Sequence, residues 1–237
     1  MENKKAIIVG ASSGIGYEVA KILIEKGWTV GVAARRVERL QDLNAALVKQ
    51  IDVTSEDADY QLRQMMVEMD GIDLYFHVAG IGKQNRELQR DIELNTVNTN
   101  GLGFTRMIGE AYRHFAEKGH GHIACISSIA GTKGLGPSPS YSATKAMQNT
   151  YIQALEQLAN IQKLDIRFTD IRPGFVDTDL LNGDFKYPLM LKPTDVAKEI
   201  VWAIEHHKHI RVINWKWRII TAFWRRIPRC IWRKMKL

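Results

Sequence analysis

The chain has 237 residues, 45% hydrophobic and 25% charged, enough to bury one substantial core and an ordinary length for a single domain. Nine of its 33 Lys/Arg and none of its 26 Asp/Glu fall in residues 211–237, so the formal charge of +7 leaves −2 for residues 1–210 and the basic character belongs to the tail. Cys125 and Cys230 fit neither a metal-ligand spacing nor a disulfide framework, no metal site is expected, and no apolar run approaches the roughly 20 residues that span a bilayer.

The charged start Met1-Glu2-Asn3-Lys4-Lys5 precedes an apolar stretch, Ala6 to Val9, too short for the core of a secretory signal, so a cytoplasmic location is expected. Residues 5–10 read as a buried strand, 15–26 as a helix closed by Gly27, and 28–33 as a second strand. The alternation continues with a helix over 38–47, a strand over 48–51, a helix over 56–69, a strand over 74–78 and a long helix over 96–117. A strand over 122–127, a helix over 140–160, a strand over 165–171, a helix over 194–206 and a strand over 210–213 complete it. Such alternation predicts a doubly wound α/β fold of about seven parallel strands with helices on both faces, one domain over residues 1–214 and a tail over 215–237.

Directly after the first strand stands Gly10-Ala11-Ser12-Ser13-Gly14-Ile15-Gly16, opening a helix. Glycines there permit a tight turn and let backbone N–H groups approach a pyrophosphate at the positive end of the helix dipole. The end of the second strand, where an acidic residue selects NAD and a basic one NADP, carries Arg35 and Arg36 and no carboxylate. Either guanidinium suits a 2′-phosphate, which favours NADP(H) and leaves NAD(H) as the alternative.

Ser127-Ser128 ends the strand over 122–127, and Tyr141 and Lys145 lie one turn apart on one face of the following helix. Reduction of a carbonyl needs a proton donor for the developing alkoxide, and a tyrosine near its ordinary pKa of about 10 is a poor one. A nearby ammonium such as Lys145 is expected to lower that pKa, and a serine hydroxyl to hold the substrate oxygen.

Together these residues resemble the short-chain dehydrogenase/reductase family, in its shorter branch, over residues 4–214. The family's glycine motif matches Gly10, Gly14 and Gly16, with Ser12, Ser13 and Ile15 inside it, and its Tyr-x-x-x-Lys matches Tyr141 and Lys145, which also meet the cofactor. Its serine, thirteen residues before the tyrosine, selects Ser128, and its Val-Asn-x-x-Gly asparagine selects Asn98, with Asn95 and Asn100 close by. Asp52-Val53 match the adenine contact, Ala79-Gly80 the end of strand four, and Pro173, Gly174, Val176 and Thr178 the nicotinamide loop. The resemblance implies a Rossmann-like fold, a small carbonyl or alcohol substrate, and a homodimer or homotetramer. His77-Val78 depart from the family's Asn-Asn, and Val78 cannot make the second asparagine's hydrogen bonds; His77 reads as a packed side chain rather than one facing the cofactor.

The resemblance makes the segment 179–192 a substrate lid, and Leu180, Leu181, Phe185, Tyr187, Leu189, Met190 and Leu191 make it apolar. At about 100° per residue, Trp217, Ile220, Phe223, Trp224, Ile227 and Ile231 share one side of a tail helix, and Arg218, Arg225, Arg229 and Arg233 the other, with Pro228 kinking or dividing it. That composition suits peripheral contact with the inner membrane surface, and equally a tail folded on its own subunit or packed in a dimer; nucleic acid is disfavoured. The expected activity is NADP(H)-dependent interconversion of a ketone or aldehyde and its alcohol, on an apolar or lipid-like substrate. The alternative is a non-catalytic dinucleotide sensor or membrane-associated scaffold, against which the complete Asn-Ser-Tyr-Lys set argues.

Overall fold

The computed structural model describes residues 4–181 and 187–235. Seven strands, β1 (Lys5–Val9), β2 (Thr29–Ala34), β3 (Leu47–Gln50), β4 (Leu74–His77), β5 (His120–Ile126), β6 (Asp165–Arg172) and β7 (Ile210–Val212), form one sheet in the order β3-β2-β1-β4-β5-β6-β7. Every pairing is parallel. The central strands are buried on both faces, which is why β1 reads as the apolar run Ala6-Ile7-Ile8-Val9 rather than as an alternation. The chain leaves β1 toward β2 and β3, then returns to β4 on the opposite side, and this reversal opens a crevice beyond the carboxyl ends of β1 and β4.

Helices α2 (Ala58–Glu68), α4 (Phe104–Lys118) and α5 (Pro139–Ile161) bury Met65, Phe104, Phe115 and Ile152 against one face of the sheet. On the other face α1 (Gly14–Glu25) and α6 (Pro193–Glu205) bury Val19, Leu23, Ile200 and Val201. Full burial of a side chain of this size contributes about 1.5–3 kcal/mol.

Two stretches differ from the sequence expectation. Residues 38–47 are not an α-helix: Val37–Leu43 wind as tight 3-10 turns whose three-residue repeat buries Leu40 and Leu43 together, and Asn44, at φ +49°, ends them before β3. The long helix starts earlier, at α3 (Arg90–Val97), and Asn98–Gly103 form a wide π turn before α4. Glycine and asparagine hold α-helical geometry weakly in this stretch, and π turns of this kind concentrate at functional sites.

After β7 the chain forms α7 (Trp215–Arg226) and α8 (Arg229–Trp232), divided at Pro228. Trp217 and Thr221 are buried against the domain and Ile220, Trp224 and Ile227 partly so, whereas Phe223 and Ile231, expected on the same side, face outward.

Candidate active site

At the crevice, Gly10 has φ +97°, and a Cβ there would stand 2.4 Å from the backbone nitrogen of Ala79. Only glycine lets the β1 turn touch the β4 turn so closely. The backbone N–H groups of Val78 and Ala79 both donate to the carbonyl of Val9, at 2.8 and 2.9 Å, so β4 is anchored here without the amide that Val78 lacks. Ser13 is the extended N-cap of α1, whose first turn holds no carboxylate and whose positive end points into the crevice. The Thr178 methyl lies over Gly14, 2.8 Å from where a Cβ would be, so the loop that carries Pro173, Gly174, Val176 and Thr178 reaches the glycine turn of Ser12, Ser13, Ile15 and Gly16 through Thr178. This glycine-rich turn at a helix N-terminus is a cradle that fits the diphosphate of a dinucleotide.

Arg36 leans toward the cradle, with Nη2 3.5 Å from Ser13 Oγ and 3.9 Å from Asp179. Arg39 donates to the same Asp179 carboxylate at 3.2 Å, whereas the Arg35 side chain is exposed and its carbonyl accepts from Gln50. Arg39 was not anticipated; its signal is its place three residues after Arg36, one 3-10 turn along. The Asp52 carboxylate accepts from the Thr54 N–H at 3.0 Å and hydroxyl at 2.8 Å, fixing the loop after β3, and Val53 is buried against Gly103.

The second group of residues sits where β5 ends and α5 begins. Ser127 points inward, its hydroxyl donating to Asp170, while Ser128 Oγ accepts from the Ala130 N–H at 3.1 Å and hydrogen-bonds Tyr141. The Tyr141 ring lies against Gly82, where a Cβ would stand 2.7 Å from it. Lys145 is buried, its Nζ donating to the Ile126 carbonyl at 2.9 Å and to Gln148 Oε1 at 3.0 Å, 5.7 Å from the Tyr141 ring centre. Gly80 leaves room beside that ammonium, a Cβ there falling 3.6 Å from Nζ.

Burial lowers Lys145 to about 8, with Cys125 and Asp170 pulling the other way. Tyr141 is raised above its ordinary value by burial, which the Ser128 hydrogen bond opposes. Burial, rather than the expected lowering by Lys145, therefore sets the direction for the phenol.

The asparagine expectation is corrected by the structure. Asn98 is exposed on the π turn, whereas Asn100 is fully buried two residues on, on the opposite side of the helix. Asn100 Oδ1 accepts from Ile81 N at 2.8 Å, its Nδ2 donates to Ile81 O at 2.7 Å, and its carbonyl accepts from Gln148 Nε2 at 2.9 Å. Asn100–Gln148–Lys145 is thus a continuous hydrogen-bonded chain. Asn100-Gly101-Leu102-Gly103 also fits Asn-x-x-Gly, so the signal was present one frame along.

Beneath Lys145 lies a buried polar group that the sequence reading missed. Arg172 pairs with Asp170 at 2.6 Å, and the Asn149 amide, oriented to satisfy both its atoms, donates to Ser127 Oγ at 2.8 Å and Asp170 Oδ2 at 3.1 Å. The signal was a carboxylate at a buried position of strand β6, between Thr169 and Ile171. His77 is packed as expected: Nδ1 meets the Tyr75 hydroxyl at 2.9 Å, the ring stands edge-on to Phe104, and burial, followed by the Lys145 charge, lowers it to about 3.

Aromatic rings line the side facing the lid and tail. Phe175 meets Tyr187 at 4.6 Å and Trp217 at 5.6 Å, Trp224 links Trp217 to Trp232, and Trp232 Nε1 donates to the Gly134 carbonyl at 2.8 Å. Of the lid residues, Leu180, Leu189 and Met190 are exposed, Leu191 bridges to Val176, and Phe185 lies outside the described residues.

A family model described as short chain dehydrogenase matches residues 4–187. An uncharacterized oxidoreductase of Staphylococcus aureus (strain USA300) is 31% identical over 225 residues, 90% of this chain and 95% of its own length. Among solved structures, a short-chain type dehydrogenase/reductase from Mycobacterium marinum superposes with a TM-score of 0.81 at 27% identity, covering 90% of this chain and 95% of that one. An alcohol dehydrogenase from the archaeon Thermococcus sibiricus, complexed with 5-hydroxy-NADP, gives 0.76 at 25% identity, covering 88% and 93%.

Proposed function

The chain belongs to the short chain dehydrogenase family of NAD(P)-dependent oxidoreductases, and on that premise we propose that it reduces an apolar ketone or aldehyde to the alcohol, with NADPH preferred to NADH. The observation that carries this reading is the convergence on Tyr141: the Ser128 hydrogen bond, the buried Lys145 ammonium 5.7 Å from its ring, and Gly82 against one edge.

When bound, the cofactor supplies the hydride that the carbonyl carbon accepts. Ser128 holds the substrate oxygen, and Tyr141 gives that oxygen its proton as negative charge develops on it. Lys145 favours the phenolate that remains until solvent returns its proton, and Gln148, itself held by the Asn100 carbonyl, fixes the ammonium in place. Arg36 and Arg39, beside the diphosphate cradle and just past the end of β2, are the groups that would hold a 2′-phosphate, and the complex of the Thermococcus sibiricus neighbour with 5-hydroxy-NADP supports the same preference. Phe175, Tyr187 and Trp217 support an apolar substrate. Exposed Leu94, Val97, Leu102 and Met147, gathered on α3, the π turn and α5, support a homodimer through the long crossover helices.

The test compares the full-length protein with Tyr141→Phe. NADPH and NADH are titrated by fluorescence, and long-chain ketones are screened for NADPH oxidation. Loss of the phenol proton should lower kcat by about 10²–10⁴-fold while NADPH affinity holds. Turnover surviving in the variant would overturn the role of Tyr141, and NADPH binding without turnover of any carbonyl by the unaltered protein would favour the non-catalytic alternative.

A further inference from the structure

Helix α7 has two apolar faces, and the domain uses only one. Trp217 is 3% exposed, and Thr221 is buried with it. On the opposite side Trp215, Ile219 and Phe223, four residues apart and therefore in one row, are 59%, 59% and 72% exposed. Past Pro228, Ile231 and Met235 extend the exposed apolar set at 54% and 41%. Exposed apolar ground of this extent marks a docking surface.

Cations surround the row. Lys216, Arg218, Arg225, Arg226, Arg229 and Arg233 are exposed, and none has an ion-pair partner among the described residues. The last acidic residue of the whole chain is Glu205, so the hairpin carries no negative side chain of its own. Two copies meeting through this face about a two-fold axis would bring like charges together. The row is also a ridge on a helix rather than a groove, and suits a deformable partner better than a packed protein surface. Among the described residues no helix is long and apolar enough to cross a membrane.

We propose that α7 and α8 lie flat on an anionic lipid bilayer, with Trp215, Ile219 and Phe223 among the headgroups and the cations on lipid phosphates. Aromatic and aliphatic side chains on one face with arginine and lysine beside them are the composition of an interfacial helix. The inner face of the same hairpin packs beside the catalytic cleft, Trp217 on Phe175 and Trp232 on Gly134, so attachment brings the cleft mouth to the lipid surface. Attachment itself does not depend on the reductase reading.

The experiment sediments the full-length protein with phosphatidylcholine vesicles containing or lacking phosphatidylglycerol, at low and at raised salt, alongside the double variant Ile219→Glu/Phe223→Glu. Both sites are solvent-facing, and NADPH titration and thermal unfolding monitor the fold. Expected is binding to the anionic vesicles only, weakened as salt shortens the screening length to about 10 Å near 0.1 M, and cut about tenfold or more in the variant. Absence of binding, equal binding to both vesicle types without a salt effect, or unchanged binding by the variant would overturn the proposal. A smaller solution mass for the variant would assign the row to a second copy instead. NADPH binding and turnover are read separately, so failure of attachment leaves the reductase reading standing.

Discussion

Trp217 rests on Gly174: a Cβ placed on that glycine would stand 2.2 Å from the indole Nε1. The contact pins α7 to the loop that closes the crevice, and it demands glycine for a close approach rather than for backbone freedom. Trp217→Ala should cost about 3–5 kcal/mol, felt mainly by the hairpin. Gly174→Ala should loosen the same helix with the tryptophan still present. Limited trypsin digestion reads this directly, because α7 and α8 carry Arg and Lys throughout. Both variants should be cut within residues 216–233 faster than the unaltered chain, and equal cutting rates would show that the contact does not hold α7 in place.

Asn98 and Asn100 offer a contrast within three residues. Asn100→Ala removes two hydrogen bonds to Ile81, together about 1–3 kcal/mol, and the geometry of the carbonyl that receives Gln148. Its kcat should fall about tenfold or more with NADPH affinity retained. Asn98→Ala removes only an exposed side chain and should leave kcat and thermal stability unchanged. Equal effects from the two variants would refute the correction made by the structure.

What the sequence disclosed, and what it hid, has a physical pattern. The strands were legible because parallel strands covered on both faces must be apolar, and Ala6–Val9 or Leu74–His77 have no other use for that composition. The glycine turn and the Tyr141–Lys145 spacing were legible because a local geometry demands them. Asn100 was mistaken for Asn98 because a π turn breaks the helical phase and two frames of the motif overlap. Asp170, Arg172, Gln148 and Asn149 act through tertiary hydrogen bonds that leave no periodic trace. The sequence grouped Phe223 and Ile231 with Trp217 on one side of the tail, but α7 has apolar side chains on two faces and only docking decides which turn inward.

Asp170 bears on Lys145 without touching its ammonium. Burial holds Lys145 at about 8 while the Asp170 charge pulls it upward, so Asp170→Asn should lower it further. The neutral amide keeps one acceptor oxygen, enough for Arg172 or for Ser127 but not for both. The ammonium would then be lost at lower pH, and the alkaline limb of the kcat profile should move downward. Arg172 would be left buried beside an uncharged partner, costing about 3–5 kcal/mol. A limb that stays in place or moves upward would rule out this electrostatic link, whatever the loss of stability.

Arg36 and Arg39 share Asp179 as a surface partner, an interaction worth at most about 1 kcal/mol, so both guanidiniums are readily released to a phosphate. Arg36→Ala should weaken NADPH binding about tenfold or more and leave NADH binding nearly unchanged, whereas Arg35→Ala should do little. Fluorescence titration of each variant with both nucleotides checks this. Equal losses for the two nucleotides would place Arg36 away from the 2′ position.

Two buried imidazoles set the acid limit of the fold. Burial is the first cause in lowering both His77 and His122 from the usual 6.5 to about 3, joined by the positive charge of Lys145 at His77 and by that of His207 and its cationic neighbours at His122. The unfolded chain takes up protons on these rings below about pH 6.5, while the folded chain refuses them until about pH 3. Stability is therefore fully present above 6.5 and is lost as pH falls toward 3, by about 2 kcal/mol per imidazole between pH 7 and 5. The salt-bridged carboxylates Glu110 and Asp73, both held below their usual values, respond only at lower pH, so the interval from 5 to 7 isolates the histidines. Urea unfolding at pH 7 and 5 should show this drop in the unaltered protein and a smaller one in His77→Asn/His122→Asn, even though the variant starts from lower stability at pH 7. A drop of equal size in both proteins would mean that these rings already carry protons in the fold or that other groups govern the acid transition.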